Sequence, residues 1–280
     1  MDLNVAYDPE CVTVLHQFIQ KRVEITKASK LVIGLSGGLD SSTVVKLAAD
    51  ALGPEKVLTL LLPVKETTDT QDGKNVAEAC GVEWKLVDLE KDFNDLLGTY
   101  TSSLGLEPDQ LPRLTPGNLS SRLRMATLYF AANALGGIVL GTSNKTELLT
   151  GYFTKYGDGS TDAMPLGDLY KTQVFSLAED IGVPDFVIKK KPTAGFFQGQ
   201  TDEDELGISY PLLDQVLRGL ELRLTVEEIA GYLSLSVKEV SRIETMVHRS
   251  AHKRFLGAIP KLGIRTPGFD WRENVDFGLE

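Results

Sequence analysis

The sequence predicts an α/β fold, a parallel sheet with helices on both faces (Rossmann-like) followed by a helical C-terminal part. Three observations predict it. Short apolar runs alternate with amphipathic stretches in the first half, a glycine- and serine-rich turn separates the first run from the stretch after it, and the final third returns to helical spacing. The runs LVIGL (31–35), VLTLLLP (57–63), WKLVDL (84–89) and GIVLGT (137–142) are β-branched or Leu-rich and read as buried strands. Between them, residues 41–52, 69–80, 91–104 and 118–135 carry apolar side chains at helical intervals. Strands separated by helices form βαβ units, which build a parallel sheet whose ligands sit beyond the carboxyl ends of the strands.

Beyond residue 142 the texture changes. A short helical stretch at 144–149 precedes 151–167, which is dense in Gly, Asp and Thr, as is 192–207; both read as long loops. Loops longer than about 12 residues inside a compact domain are usually functional or disordered. Between the two loops, 170–181 reads as a helix. The segment TVEEIAGYLS (225–234) opens on a Thr-x-x-Glu capping box and is followed by a helix over 237–255. This last pair has the layout of a DNA-reading helix-turn-helix, a reading that the acidic charge balance weighs against. No internal repeat, low-complexity tract or linker divides the chain, so residues 1–280 are expected to form one domain.

With 280 residues and 42% hydrophobic content, the chain can bury a large core. No run approaches the roughly 18 to 20 apolar residues of a membrane helix. The N-terminus MDLNVAYDPE lacks the basic-then-apolar profile of a signal peptide, so no membrane partner is expected and a cytoplasmic location is. Cys11 and Cys80 lie far apart without CxxC or CxxH spacing, which suggests small core hydrophobes rather than a disulfide or zinc site. A net charge of −10 and a pI near 4.9 argue against a nucleic-acid partner, since phosphate backbones are gripped by broad basic surfaces. A few converging Lys and Arg residues with a divalent metal can still hold a nucleotide.

The strongest local signal is GLSGGLDSS (34–42), between a predicted strand and a predicted helix. It lacks the lysine of GxxxxGK[ST] and does not match GxGxxG. Gly37 and Gly38 let the backbone turn its N–H groups inward, Ser36, Ser41 and Ser42 add hydroxyls, and the next helix offers its positive end, so the segment reads as a phosphate cradle. Asp40 lies in the middle of it, where a bare carboxylate repels phosphate unless a cation intervenes. Mg²⁺, which accepts one or two protein carboxylates, resolves the conflict; the plain alternative is that Asp40 only caps the helix.

This segment resembles the signature of the N-type ATP pyrophosphatases, whose loop holds the pyrophosphate that leaves when ATP adenylates a substrate. GTSNKTELLTGYFTKYGDGSTDAMPLGDLYKTQVF (141–175) and KPTAGFFQGQTDEDELGISY (191–210) are similar to the two later signatures of the NAD synthetases within that group. The resemblance implies that deamido-NAD is adenylated by ATP on its nicotinate carboxylate and then amidated, giving NAD, AMP and pyrophosphate. It implies an adenine nucleotide alpha hydrolase-like fold, with ATP contacts at Gly34, Leu35, Ser36, Gly37, Gly38, Leu39, Asp40 and Ser41 and at Thr142, Lys171 and Thr193. Asp40 and Glu147 are implied as Mg²⁺ ligands, with Thr193 in reach of the metal. Asp40 and Lys171 are the expected catalytic pair, Lys171 countering the charge that builds on the phosphates. Arg122, Lys155, Asp162, His252 and Lys253 match positions that hold the dinucleotide, whereas Arg124, two positions beyond Arg122, is expected to point elsewhere on its helix.

Departures from the family pattern are small. Ser121 stands where an alanine is expected before the arginine, and Phe196 and Phe197 replace an aliphatic residue and a tryptophan, with Phe197 able to stack on a base. Glutamine-dependent members carry a separate amidase domain, for which a chain of this length has no room; free ammonia is therefore the expected donor. The resemblance further implies a homodimer with its substrate pocket near the interface. A tRNA-thiolating or GMP-forming relative would need a basic tRNA surface, paired cysteines or a xanthosine pocket. A binding-only ATP sensor would be expected to have lost Asp40, Glu147 or Lys171, and all three are present.

Overall fold

The structure, a computed structural model, describes residues 3–65, 68–190 and 202–267. Four strands, β1 (Leu31–Gly34), β2 (Val57–Leu61), β3 (Glu83–Leu86) and β4 (Ile138–Leu140), form one all-parallel sheet in the order β3-β2-β1-β4. Gly34 stands opposite Leu60, and Ile33 opposite Leu140. The chain steps outward from β1 to β2 and β3, then crosses to the other side of β1 as β4. The topological switch point, where an open α/β sheet leaves a crevice beyond its strand ends, therefore falls between β1 and β4.

Pleating sorts the apolar runs onto two faces. Leu31, Ile33, Val57 and Leu61 pack on one side with Ile19 of α1 (Cys11–Thr26), Val44 and Leu47 of α2 (Leu39–Leu52), and Val76 of α3 (Thr68–Ala79). Val32, Leu58, Leu60 and Val139 face the other side, joined by Leu89, which precedes α4 (Glu90–Leu104), and by Leu128 and Ala132 of α5 (Leu114–Leu135). A sheet covered on both faces needs apolar residues at both parities, hence the near-continuous runs. The short α6 (Lys145–Thr150) follows β4, and α7 (Lys171–Asp180) and α8 (Asp185–Ile188) close the first face through Val174, Leu177 and Val187. The rest of the described chain is α9 (Asp202–Leu206), α10 (Tyr210–Glu221), α11 (Val226–Leu233) and α12 (Val237–Ser250), ending in a 3₁₀ turn over Ala251–Arg254. Leu213, Val216, Leu217, Ile229, Val240 and Ile243 give α10 to α12 a core of their own.

Three expectations need correction. The run WKLVDL is not a buried strand: β3 spans Glu83–Leu86 at the sheet edge, with Glu83, Lys85 and Leu86 exposed. An edge strand has one neighbour, and charges along it block further pairing. Within 192–207, residues 202–206 form the helix α9 rather than loop; four successive acids, Asp202 to Glu205, suit a helix N-terminus. Cys11 and Cys80 are free, as expected, but each is half-buried at the margin of the core rather than inside it. The patterning did not single out α1 and α10. The loop over 151–167 contains no helix or strand beyond a single bridge from Ala163 to Leu140. Among the described residues, no helix is long and apolar enough to cross a membrane.

Candidate functional site

The cradle lies at the switch point. From Gly34 at the end of β1 the chain turns through Gly37, whose φ of +76° favours glycine, and enters α2 behind Gly38. A Cβ on Gly37 would lie 2.7 Å from the Asp69 carbonyl oxygen and 2.8 Å from the Gly73 nitrogen, so α3 packs directly on the turn. The Ser36 amide donates to Ser41 Oγ (3.3 Å), and the Ser36 and Ser41 hydroxyls lie 3.1 Å apart. Ser41 and Ser42 are both buried and both donate to the Gly38 carbonyl, at 3.2 and 2.7 Å, so they brace the turn and Ser36 is the exposed hydroxyl of the three. The opening amides of α2 have no carbonyl one turn behind them, which leaves them as donors suited to an anion.

Lys171 is the largest fully buried side chain of the described residues, 2% exposed. An ammonium so deep costs several kcal/mol unless it is paired. Its Nζ donates to Asp40 Oδ2 and lies 3.6 Å from Glu147 Oε1, with the Tyr210 ring centroid 5.4 Å away. Burial opposes its charge, yet Asp40 and Glu147 outweigh burial and hold the ammonium above its ordinary range. Glu147 behaves in the opposite way: burial first, then repulsion from Asp40, push its carboxyl up to about 8 despite Lys171 and the Asn144 amide.

Each member of this triad is set by local structure. Asn144 caps α6 in a reciprocal box, accepting from the Glu147 amide (3.0 Å) while its own amide donates to Glu147 Oε2 (3.2 Å). The Asn144 side chain also donates to Asp40 Oδ1 at 3.2 Å, joining the end of β4 to α2. Two carboxylates set against one another raise each other's cost, and a cation relieves it. Among the described residues no cluster of three or more His, Cys, Asp or Glu makes a complete metal cage. A cation on Asp40 and Glu147 would thus take its other ligands from a bound anion, a donor set that suits a hard ion holding phosphate oxygens.

Sequence reasoning missed several residues around the triad. Asp202 is buried, accepts from the Tyr210 hydroxyl (2.9 Å) and the Tyr152 hydroxyl (3.2 Å), and has its carboxyl raised by burial. Asp214, on α10, accepts from Thr146 and Thr172. Asn144 alone had a legible signal, the Asn-x-x-Glu box; the others lie in stretches whose acids read as solvated surface.

The structure gathers the remaining sequence candidates beside α5 and the 3₁₀ turn. Thr142 is half-buried just past β4, on the far side of the switch point from the cradle. Arg122 Nε and Nη2 reach the Lys155 carbonyl at 3.3 Å each, and Lys155 Nζ donates to the His252 carbonyl at 2.7 Å. His252 is exposed. Lys253 donates to the carbonyls of Gly151 (2.7 Å) and Phe153 (2.8 Å), and burial lowers its pKa. Asp162 accepts from the Val139 amide (2.8 Å) and the Tyr129 hydroxyl (3.2 Å), which ties it to the edge of β4. Arg124 points away from Arg122, as expected, donating to the Leu62 carbonyl just beyond β2. Ser121 bonds Asp158 Oδ1 (2.7 Å), an anchor that alanine would not supply. Thr193, Phe196 and Phe197 lie outside the described residues.

A family model described as NAD synthase matches residues 11–257. The NH(3)-dependent NAD(+) synthetase of Pyrococcus furiosus is 47% identical to this chain over 252 residues, covering 90% of this chain and 94% of the relative. That of Thermococcus kodakarensis is 45% identical over 251 residues, covering 89% and 96%. Among solved structures, NMN synthetase from Francisella tularensis superposes with a TM-score of 0.78 at 34% identity, covering 91% of this chain and all of that one. The NH3-dependent NAD synthetase from Campylobacter jejuni superposes with a TM-score of 0.74 at 26% identity, covering 93% and 100%.

Proposed function

The chain belongs to the NAD synthase family, and on that premise we propose that it is an ammonia-dependent NAD synthetase, a ligase that uses ATP to convert deamido-NAD to NAD. One observation carries the reading: the buried Lys171 ammonium bridges Glu147 and Asp40, the acid in the first turn of α2. That is a site for a polyphosphate whose charge must be balanced while a bond to it breaks.

In this reading the nicotinate carboxylate of deamido-NAD attacks the α-phosphorus of ATP, and the bond to the β,γ-pyrophosphate breaks. The cradle residues, Gly34 to Ser41, receive the leaving pyrophosphate with backbone amides and the exposed hydroxyl of Ser36, which Ser41 supports from below. Lys171 supplies a fixed positive charge, which needs no reorganisation at the moment of reaction. Asp40 and Glu147 would hold Mg²⁺, which supplies Lewis-acid charge neutralisation at the phosphates. Ammonia then attacks the acyl carbon of the adenylate, AMP leaves, and a proton is released. Thr142 belongs to the ATP side of the pocket, and Thr193 is assigned to ATP by family resemblance alone; Arg122, Lys155, Asp162, His252 and Lys253 belong to the dinucleotide side. The backbone bonds of Lys253 and Asp162 fit a role in shaping that pocket as well as contacting substrate.

The same reading includes a single catalytic domain over residues 1–280, a cytoplasmic location where ATP is at hand, and a homodimer. Support for the dimer comes from α5, where Phe130 is 76% exposed on the same helical face as Arg122. On α4, Leu104 and Tyr100 add further exposed apolar surface.

The test is an endpoint assay with ATP, Mg²⁺, ammonium and deamido-NAD that quantifies NAD, AMP and pyrophosphate together; equal yields are expected. Nicotinic acid mononucleotide runs in parallel, because one similar structure is that of an NMN synthetase. A product from the mononucleotide alone would replace the substrate while keeping the chemistry. Asp40→Asn is expected to lower turnover about a hundredfold or more, and full activity in that variant would remove Asp40 from the site.

A further inference from the structure

We propose that Asp214 is a positioning residue that sets the spacing between Glu147 and Lys171, and through it the site's response to its divalent cation. Asp214 is completely buried on α10, among Leu213, Val216 and Leu217. A carboxylate in such surroundings is costly unless its oxygens are satisfied. Both are: Oδ1 accepts from the Thr146 hydroxyl at 2.6 Å, and Oδ2 accepts from the Thr172 amide at 2.8 Å. The Thr146 oxygen in turn accepts from the Lys171 amide at 2.9 Å.

The identity of the bonded residues gives the contact its meaning. Thr146 immediately precedes Glu147 on α6, and Thr172 immediately follows Lys171 on α7. One carboxylate therefore grips the backbone neighbour of each charge, and the hydroxyl between them holds the amide of Lys171 itself. Glu147 and Lys171 lie on separate short helices joined by the loop over 151–167, which has no ladder of its own to fix their separation. Asp214 also sits at the positive end of α7, where a negative charge is stabilised. Burial raises its carboxyl while the two donors lower it. Apolar packing alone would hold α10 against α6 and α7 as firmly, but it would not fix two donors along specific directions.

The inference rests on the reading that Glu147 and Lys171 form the working site, and its test keeps the two separable. Asp214→Asn, Thr146→Val, Thr146→Ser and the double variant Asp214→Asn/Thr146→Val are compared with the wild-type chain, each checked for folding by circular dichroism. Two quantities are read: kcat with saturating substrates, and the Mg²⁺ concentration that half-saturates binding of a non-hydrolysable ATP analogue. The asparagine removes the charge and replaces one of the two accepting oxygens with an amide NH₂, so the Thr146 hydroxyl and the Thr172 amide can no longer both donate to the side chain. Asp214→Asn and Thr146→Val are therefore each expected to lower kcat and raise the Mg²⁺ requirement by about tenfold to a hundredfold, the range seen when partners of a metal's ligands are lost. The double variant is expected to fall no further than the worse single one, and Thr146→Ser, which keeps the hydroxyl, to behave as wild type. Folded Asp214→Asn protein with kcat and Mg²⁺ requirement within about twofold of wild type would overturn the proposal. So would losses that match only a smaller folded fraction, or independent losses that add in the double variant. If the wild-type chain makes no NAD, the functional reading fails, while the Mg²⁺ dependence of analogue binding still decides the role of Asp214.

Discussion

At the scale of single residues, the site is a problem in burying charge. Asp40 and Glu147 hold Lys171 as an ammonium in the interior, while burial first and then Asp40 push the Glu147 carboxyl up. Glu147 therefore takes up a proton more readily than an ordinary glutamate in the cation-free protein. Binding of Mg²⁺ is expected to release more of a proton at pH 7 than at ~pH 9.5, since a metal ligand must be deprotonated. Calorimetry in buffers of different ionisation enthalpy measures this, and an equal, near-zero release at both pH values would remove Glu147 as the cation's ligand. Asp40 could be found from sequence because its whole setting, strand, glycine turn and helix start, is contiguous. Glu147 and Lys171 came only through resemblance, since a lone Glu or Lys on a helix is most often surface. Asp202, Tyr210 and Asp214 carried no signal, because burial decides what such residues do and burial is not local.

At the scale of elements, α2, α6 and α7 present the working charges, and polar contacts from α10 lock α6 and α7 together. Glu221, at the end of α10, accepts from Lys145 of α6 (2.8 Å), from Arg218 (2.7 Å) and from the hydroxyl of Tyr170, the residue that caps α7 (3.0 Å). Burial raises its carboxyl, but these donors prevail and bring it down to about 2 from an ordinary 4.5. A depressed acid stabilises the fold above its ordinary pKa and loses that contribution as the pH falls through the folded value. Glu221→Gln is thus expected to lower Tm at pH 7 and to make progressively less difference between about pH 4.5 and pH 2. Melting curves at pH 7, 4 and 2.5 test this; a Tm difference that stays constant across them would mean the ion pairs contribute nothing. The strand runs and the capping box of α11 were legible, since Thr225 sits three residues before Glu228; the matching Ser236–Glu239 box of α12 emerged with the structure. The edge position of β3 was not, because a strand's place in the sheet depends on pairing order and not on its own residues.

For the whole molecule, the order β3-β2-β1-β4 opens a crevice at β1 and β4, and the cradle and α6 both enter it. The proposed dimer belongs to this scale as well. Phe130 on α5 and Leu104 and Tyr100 on α4 are exposed apolar side chains, and Phe130 shares a helical face with Arg122. Phe130→Asp is expected to shift the protein from dimer to monomer in light scattering after size exclusion, with a weaker KM for the dinucleotide if the pocket borders the interface. An unaltered dimer would move the interface off α5.

The class of fold and the glycine-serine turn with its carboxylate were legible in local pattern: apolar parity, glycines at a turn, hydroxyls and an acid within nine residues; the family chemistry came through resemblance of longer segments. Tertiary structure alone decided which charges meet. Asp40, Glu147 and Lys171 are separated by more than a hundred residues from first to last, and their pairing follows from strand order and from how α6, α7 and α10 pack. The same packing turned Ser42 inward and made Asp214 a brace. Hydrogen bonds and ion pairs act over a few ångströms, and only the folded chain sets distances that short between residues so far apart in sequence.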